Sequence, residues 1–305
     1  MTPTARRPRR RTRRGLSDAG FGLALAAPAV ILFGIVSLYP LLSSLSLGFT
    51  ERSLLSPESS FVGLDNVIEV LTGRFLPVLR TTLVFALGST LLSALLGLGA
   101  ALLLNRGIRG QALLRGVLLF PWVTPGVVVA FVWLWIFNAN YGVLNGALRQ
   151  LGLVDSNVHW LGQPALAMVA LIVAKSWNTF PWMMVMFLAA LQNVPRDLLE
   201  AAAADGARPL RRLWHVTLPH LRGVIGVVLL LGVIWNFQHF EIIYVLTEGG
   251  PAGATTTFAI ELYNQAFRAY DLGTAGAMGI VWMACLAVLA AVYFRLTADD
   301  RGSRR

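Results

Sequence analysis

Six long apolar runs limit what this chain can fold into. They lie at about 21–48, 81–104, 116–137, 164–191, 223–246 and 274–295. A helix needs about 20 mostly apolar residues to cross a bilayer, whereas a membrane β-strand is about half as long and alternates in polarity. The runs therefore predict an all-α, polytopic membrane protein with six transmembrane helices.

The composition also indicates burial in lipid. Of the 305 residues, 56% are hydrophobic and 13% are charged, whereas a soluble domain has about 25% charged residues. The net charge of +10 would suit a nucleic-acid-binding protein, but the arginines lie in short clusters between the apolar runs, as membrane topology signals do. We therefore expect contact with a lipid bilayer and none with nucleic acid.

Arginine counts predict the orientation of the spans, because cytoplasmic segments carry the excess of positive charge. The N-terminal tail, the loops after the second and fourth runs and the C-terminus hold most of them: Arg6, Arg7, Arg9, Arg10, Arg11, Arg13, Arg14, Arg106, Arg109, Arg115, Arg196, Arg208, Arg211, Arg212, Arg222, Arg295, Arg301, Arg304 and Arg305. The opposite loops hold only Arg52, Arg74, Arg80, Arg149 and Arg268. Both termini are therefore predicted to be cytoplasmic, in a bacterial inner membrane.

The N-terminus allows two interpretations. Residues 1–15 are predicted to be a disordered basic tail in front of a single transmembrane domain, 16–305. Basic residues before an apolar run can instead mark a cleaved secretory signal. The run from Phe21 to Phe49 is far longer than the core of such a signal, which favours an uncleaved first span.

The cytoplasmic loop 192–222 predicts a helix–turn–helix. Pro195 suits the first turn of a helix, and the alanine run 201–204 is a strong helix former. Gly206 then stops the helix, since glycine readily adopts the left-handed conformation at a helix C-terminus. Pro209 can start a second short helix that ends before Pro219. Helices this short bury little by themselves, so we expect the pair to insert into a partner.

The same loop resembles the EAA loop of binding-protein-dependent importer permeases. The matching residues are Glu200, Ala201, Ala202, Asp205, Gly206, Ala207, Val216, Leu218 and Pro219. In that family the loop is a coupling helix that docks in a cleft of a separate ATPase subunit. The resemblance implies that Glu200 meets a basic residue of the ATPase and that Gly206 sets the turn. A plain helical linker is the alternative.

A second segment narrows the resemblance to carbohydrate permeases. The stretch 244–251 reads Tyr-Val-Leu-Thr-Glu-Gly-Gly-Pro, and 254–257 and 263–267 follow with Ala-Thr-Thr-Thr and Tyr-Asn-Gln-Ala-Phe. It is similar to the loop after the fifth span in maltose-type and glycerol-3-phosphate-type importers. The resemblance implies the type I ABC importer architecture, with a homologous second permease, two ATP-binding subunits and an extracytoplasmic substrate-binding protein.

The energy for transport must come from another subunit. A phosphate-binding loop ends in Gly-Lys-Ser/Thr, whereas Lys175, the only lysine, follows Ile-Val-Ala. The chain is therefore predicted to be no enzyme and to bind no cofactor, with ATP and Mg²⁺ on the partner ATPase subunits. The single cysteine, Cys285, and the spacing of the histidines predict no metal site.

Polar residues inside spans usually face a cavity or a partner, and here they cluster in the fourth and fifth runs. Hydrogen-bonding groups beside aromatic faces suit a sugar ring, and Pro181 can break the fourth span and free backbone carbonyls. Similarity to the maltose-type subunit implies sugar contacts by Lys175, Asn178, Thr179, Trp182, Trp235, Asn236 and His239.

The chemistry of that site leaves two questions open. Lys175 and His239 replace neutral amides of the maltose-type site, which favours a phosphate or an acidic sugar over maltose. Lys175 can instead pair with Glu241, the only acidic residue well inside a span, and the tryptophans can simply pack between helices.

The sequence thus predicts the membrane-spanning subunit of an ATP-driven importer for a sugar or a sugar-derived solute. An ion- or proton-coupled secondary transporter is the alternative. That class often shows inverted repeats and buried acidic relays, and neither is evident here. A membrane enzyme is disfavoured because no catalytic constellation is recognisable.

Overall fold

The structure is a computed structural model that describes residues 18–56, 58–107 and 109–302. Its helices are α1 (Asp18–Phe33), α2 (Tyr39–Leu47), α3 (Asp65–Thr72), α4 (Phe75–Leu104), α5 (Gln111–Val123), α6 (Gly126–Ile136), α7 (Val143–Gln150), α8 (Pro164–Gln192), α9 (Arg196–Ala204), α10 (Pro209–Arg212), α11 (Leu218–Phe237), α12 (Glu241–Thr247), α13 (Phe258–Tyr263) and α14 (Leu272–Gly302). Strand β1 (Thr50–Arg52) pairs antiparallel with β2 (Ser59–Phe61). Segments Gly34–Leu38, Leu213–Thr217 and Asn264–Arg268 are π-helical. The predicted disordered tail, 1–15, lies outside the described residues.

The membrane helices follow the apolar runs. Within the described residues, four helical stretches are long and apolar enough to cross a membrane: Leu25–Leu47, Phe75–Leu104, Pro209–Phe237 and Leu272–Arg295. A fifth candidate is the bent pair α5 and α6. The remaining run forms α8, a continuous helix of 29 residues. Its apolar sequence is interrupted in the middle by polar side chains. The predicted helical membrane fold is thus confirmed, with four candidate spans and a bent pair as a fifth candidate rather than the six expected.

The third predicted span, 116–137, is not one helix, because its two halves meet at an angle of 97°. Pro125 has no N–H and so cannot continue the hydrogen bonding of α5. It also forces the residue before it into an extended conformation, and Thr124 has ψ of 129°. The Thr124 hydroxyl donates a hydrogen bond to the Phe120 carbonyl at 2.9 Å, in place of a backbone N–H. The bend therefore follows from the Thr-Pro-Gly sequence.

Two other spans also differ from the expectation. The fifth, 223–246, is divided into α11 and α12 by the non-helical segment 238–240, which reads Gln-His-Phe. The fourth is not broken at Pro181, because α8 runs unbroken through it. Since α8 packs against α4, α5, α6, α11 and α12, tertiary packing outweighs the hydrogen bond that the proline removes.

The sequence predicted that the helix after the turn at Gly206 ends before Pro219, and this prediction is wrong. It continues from Pro209 to Phe237 through the π-helical segment Leu213–Thr217. A proline ring clashes with the carbonyl four residues earlier in an α-helix, and a π turn is wider. The same arrangement precedes Pro40, which follows Gly34–Leu38. The widened turn is thus how both helices accept a proline.

The centre of the fold is the contact of α8 with α4 and α11. A β-carbon at Gly97 of α4 would lie 2.9 Å from the backbone nitrogen of Met184 and 3.0 Å from the Phe180 carbonyl oxygen. On α11, a β-carbon at Gly232 would lie 2.9 Å from Thr90 Cγ2. Small residues of this kind let membrane helices approach closely, where van der Waals contact is the main attraction.

We expect Gly97→Ala to lower the thermal stability of the purified protein. Its methyl group would meet backbone atoms that cannot rotate away, and overpacking of this type costs about 1–3 kcal/mol. The matched control is Gly99→Ala on the same helix, where an added β-carbon meets nothing within 4 Å. Thermal unfolding in detergent measures both, and equal midpoints for the two variants would contradict this account of the α4–α8 contact.

Candidate functional site

The loop 192–222 forms the predicted helix–turn–helix, which we call the handle (Arg196–Thr217). Its first helix, α9, begins one residue later than expected, with Pro195 at the N-cap. The turn is closed by hydrogen bonds from Gly206 N to Ala203 O at 3.0 Å and from Ala207 N to Ala202 O at 3.0 Å. Gly206 has φ of +78°, so the expected left-handed glycine is confirmed.

The handle projects from the helix bundle. Among the predicted coupling residues, Glu200, Ala201, Asp205, Gly206 and Pro219 are exposed, and Ala202, Ala207 and Leu218 are half-buried. Three large apolar side chains beside them are also exposed, Leu198, Leu210 and Trp214, the last by 62%. The sequence reasoning missed these three, although Trp214 between Arg212 and His215 is an apolar group in a charged segment. Large exposed apolar groups beside polar ones mark an interaction surface.

Four of the predicted solute residues lie on one face of α8. Lys175, Asn178, Thr179 and Trp182 follow the spacing i, i+3, i+4, i+7, which aligns side chains along a helix. The other three lie where α11 ends: Trp235, Asn236 and His239. Trp182 and Trp235 bring the two groups together, with ring centroids 4.6 Å apart.

Lys175 is a buried cation without a close counter-ion. Its exposed fraction is 8%, and among the described residues no carboxylate lies within ion-pair distance of its ammonium group. The Glu241 carboxylate attracts the Lys175 ammonium group from a greater distance. His239 is close enough to Lys175 to interact with its charge. Burying an unpaired charge is unfavourable, so the arrangement favours an anion beside Lys175.

Glu241 faces the N-terminus of a half-helix instead. A β-carbon at Gly126, the first residue of α6, would collide with the Glu241 carboxylate. Helix N-termini carry partial positive charge, which stabilises an anion there. The bend in the third candidate span thus places the N-terminus of α6 beside the Glu241 carboxylate.

Two of the predicted solute amides already have partners in the protein. Asn178 Nδ2 donates to the Pro121 carbonyl at 2.8 Å, the carbonyl that Pro125 leaves without its helical N–H. Asn236 is 1% exposed, and its Nδ2 donates to Thr90 Oγ1 at 2.9 Å. Their amide nitrogens therefore hold helices together.

Some buried polar atoms beside them are left without a partner. Among the described residues these include Asn236 Oδ1, His239 Nε2 and the hydroxyls of Ser89 and Ser93. Buried polar atoms are normally hydrogen-bonded. An acceptor or donor on a bound solute or water would satisfy them, which makes the junction of α4, α8 and α11 the best candidate for a solute site.

The loop after α12 is ordered by threonines. Thr255 is buried and donates to the Gly250 carbonyl at 2.6 Å, and Thr256 donates to Gly249 O at 3.1 Å. At its edge Arg268 donates to the Glu248 carboxylate at 2.6 Å, and this hydrogen bond raises the pKa of the Arg268 guanidinium above its ordinary value. These hydrogen bonds and the Arg268–Glu248 ion pair fix the conformation of the loop.

Comparison with known proteins gives relatives over most of the chain. The chain is 35% identical over 280 residues to the trehalose/maltose transport system permease protein MalF of Thermococcus litoralis, covering 92% of this chain and 94% of that one. It is 34% identical over 283 residues to the sulfoquinovosyl glycerol transport system permease protein SmoG of Agrobacterium fabrum, with coverage of 92% and 91%. It is also 34% identical over 282 residues to the sn-glycerol-3-phosphate transport system permease protein UgpA of Brucella abortus, with coverage of 89% and 92%.

Solved structures share the fold. A bacterial ABC transporter involved in the import of the acidic polysaccharide alginate superposes with a TM-score of 0.75 at 22% identity, covering 91% of this chain and 96% of the other. The alginate transporter in complex with its pentasaccharide-bound periplasmic protein gives a TM-score of 0.76 at 22% identity, with coverage of 90% and 92%. Residues 93–299, including the handle, match the model of the binding-protein-dependent transport system inner membrane components. The chain is a member of that family.

Proposed function

We propose that this chain is one of two membrane-spanning subunits of an ATP-driven importer that takes up a sugar or a sugar-derived solute. The observation that carries the proposal is the exposed handle, closed by a left-handed glycine inside the segment that matches the family. The chain moves with the handle and performs no covalent chemistry. A homologous second permease, two ATP-binding subunits and an extracytoplasmic binding protein complete the complex.

The relatives support a sugar as the solute. Their names refer to trehalose and maltose, sulfoquinovosyl glycerol, and sn-glycerol-3-phosphate. The last two are anionic compounds. Co-purification of an ATPase with this chain would separate the importer from a secondary transporter.

The proposed topology has six spans with both termini in the cytoplasm. α8 corresponds to the fourth predicted span and brings the number of spans to six. Its 29 residues exceed the roughly 20 that a bilayer requires, and its polar groups face other helices. The handle then lies in the cytoplasm, and the β-hairpin lies on the opposite side. The arginine distribution supports this orientation.

Cysteine labelling tests the orientation. In a Cys285→Ser background, we expect Phe61→Cys to react with a membrane-impermeant maleimide in intact spheroplasts, because Phe61 is 79% exposed on β2. Leu210→Cys, also exposed, should react only after permeabilisation. The Cys285→Ser parent is the blank. Labelling of Leu210→Cys in intact spheroplasts would place the handle outside the cell and overturn the proposal.

The handle transmits the movement of the ATPase to the spans. Glu200 is exposed on α9 and free to meet a basic residue of the partner. Leu198 and Trp214 supply apolar area that a docking cleft can bury. Gly206 fixes the angle between the two arms, because its φ of +78° strains any residue with a β-carbon.

The double change Glu200→Ala with Gly206→Ala should uncouple ATP hydrolysis from solute entry. It removes the charge and strains the turn, so we expect uptake to fall by about tenfold or more, equivalent to about 1.4 kcal/mol of lost coupling. Uptake and ATPase rates are measured together on the reconstituted complex. The matched control is Glu58→Ala with Gly223→Ala, where both residues are exposed and Gly223 has open space around it. Normal uptake by the handle variant would refute the coupling role.

The solute in this proposal carries a negative charge that Lys175 neutralises. Lys175 is buried, and no carboxylate of the described residues lies within ion-pair distance of it, while Glu241 lies at the N-terminus of α6. Hydrogen bonds from a buried cation to an anion are stronger than neutral ones. A phosphate, carboxylate or sulfonate on the sugar would satisfy this requirement.

Lys175→Gln should therefore lower uptake of the sugar that the partner binding protein recognises. The loss of a charged hydrogen bond is worth about 1.5–3 kcal/mol, so we expect a decrease of roughly tenfold to a hundredfold. Lys175→Arg should recover part of it, and Arg149→Gln serves as the neutral control, because Arg149 is exposed in the last turn of α7. Unchanged uptake in Lys175→Gln would exclude a solute contact at this position.

A further inference from the structure

A cavity of about 160 Å³ lies where α3, α4, α13 and α14 meet, away from the candidate solute site. Apolar side chains such as Val70 and Phe75 form most of its wall. Its charged groups are Glu69, Arg74 and Glu261, so two carboxylates face one guanidinium. Pockets for drug-sized molecules enclose about 300–1,000 Å³. This cavity therefore suits a small end group, and its charge favours a cation.

The cavity holds a buried carboxylate, Glu261, which is 5% exposed. Both of its partners contact the same oxygen, Oε1. Gln265 Nε2 donates to this atom at 3.1 Å, and Arg74 Nη1 lies 3.8 Å from it, beyond hydrogen-bond distance. The other oxygen, Oε2, accepts no hydrogen bond from the part of the chain that the structure describes. Burying a charge without its full set of partners is unfavourable, so the site favours a cation that donates to Oε2.

An organic ammonium group suits this cavity better than a metal ion. Within the described ranges, no three histidine, cysteine, aspartate or glutamate side chains lie close enough together to hold a metal. Phe75 is half-buried at the wall, and Phe258 packs against it with ring centroids 6.0 Å apart. A ring face attracts an ammonium group, and a carboxylate oxygen accepts a strong hydrogen bond from its N–H. Phe75 and Glu261 thus offer the two contacts that an ammonium group requires.

The cavity lies at the level where two candidate spans begin. Phe75 is the first residue of the span Phe75–Leu104, and Thr274, which also lines the cavity, lies in the first turn of the span Leu272–Arg295. The arginine distribution predicts that both of these ends are extracytoplasmic. Polar head groups flank the hydrocarbon at this depth. A phospholipid therefore brings an ammonium group to the mouth of the cavity.

Arg74 completes the match to a zwitterionic head group. Its side chain is 81% exposed and lines the cavity. Guanidinium groups bind phosphate oxygens through charge-assisted hydrogen bonds. In phosphatidylethanolamine an ethylene group joins the phosphate to the ammonium group. Arg74 can therefore bind the phosphate while the ammonium group lies beside Glu261.

We infer that this cavity, which we call the head-group cavity (Arg74, Phe75 and Glu261), binds the head group of a phosphatidylethanolamine molecule from the extracytoplasmic leaflet. Only the leaflet rests on the proposed topology, and the binding does not depend on the transported solute. The bound lipid contacts α3, α4, α13 and α14 at once, so it stabilises the extracytoplasmic ends of two spans.

Native mass spectrometry of the delipidated, complete complex tests the lipid preference. We expect the first phosphatidylethanolamine molecule to bind about tenfold more tightly than phosphatidylglycerol, because only the former donates a charged hydrogen bond to Glu261. Glu261→Gln retains the shape of the side chain and should abolish this preference. Glu58→Gln, which removes an exposed carboxylate on the same predicted side, is the matched control and should retain it.

A second variant leaves the buried carboxylate in place. Phe75→Leu removes the ring face at the wall, so the affinity for phosphatidylethanolamine should fall about threefold. An unchanged preference for phosphatidylethanolamine in both Glu261→Gln and Phe75→Leu would overturn the head-group cavity as its binding site.

Two further measurements separate other sources of a cation. If free ethanolamine displaces the lipid at equal concentration, the cavity binds a soluble amine and the lipid assignment is wrong. The lipid assignment also fails if both lipids bind equally and Glu261→Gln instead weakens the affinity for the binding protein, because the cavity then takes a basic side chain of that partner. None of these titrations needs transport. A complex that takes up no sugar would therefore contradict the proposed function and leave the lipid result standing.

Discussion

Each backbone N–H and C=O group of a membrane-spanning segment must find its partner inside the protein, because hydrocarbon provides none. The prolines of this chain test that rule at several places. Before Pro40 and Pro219 the helix widens into a π turn. At Pro125 the helix bends, and two side chains replace the lost backbone bonds, Thr124 at Phe120 O and Asn178 at Pro121 O. The shape of the spans is therefore set by how each broken hydrogen bond is repaired.

This requirement divides the polar residues of the spans into two groups. Asn178 and the nitrogen of Asn236 are used to join helices. Within the part of the chain that the structure describes, His239 Nε2 is buried without a hydrogen-bond partner, and Lys175 is buried with no carboxylate within ion-pair distance. Leaving buried polar atoms unsatisfied is unfavourable, and a binding site is a place where this is tolerated because a solute can satisfy them. Glu241 attracts Lys175 only from beyond ion-pair distance, because its carboxylate lies against Gly126 of α6.

The sequence predicted the membrane helices because their length is a property of each run alone. It predicted the turn at Gly206 for the same reason, since a left-handed glycine after an alanine run is a local signal. It did not distinguish Pro125 from Pro181. Pro125 bends its helix within Thr-Pro-Gly, whereas α8 continues through Pro181, where it is packed against several other helices. The bond from Asn178 to Pro121 joins residues 57 apart, and no local pattern indicates it.

A single helical stretch connects the handle to the candidate solute site. From Pro209 the helix runs without interruption for 29 residues to Phe237, which at 1.5 Å per residue spans about 40 Å. A force on Leu210 or Trp214 would therefore be transmitted along this one helix to Asn236 and to the break that follows it. Beyond the break, α12 is packed against α6. Asn236 and His239 lie at this break, and each has a buried polar atom without a partner among the described residues. A movement of the handle would therefore change the surroundings of these atoms.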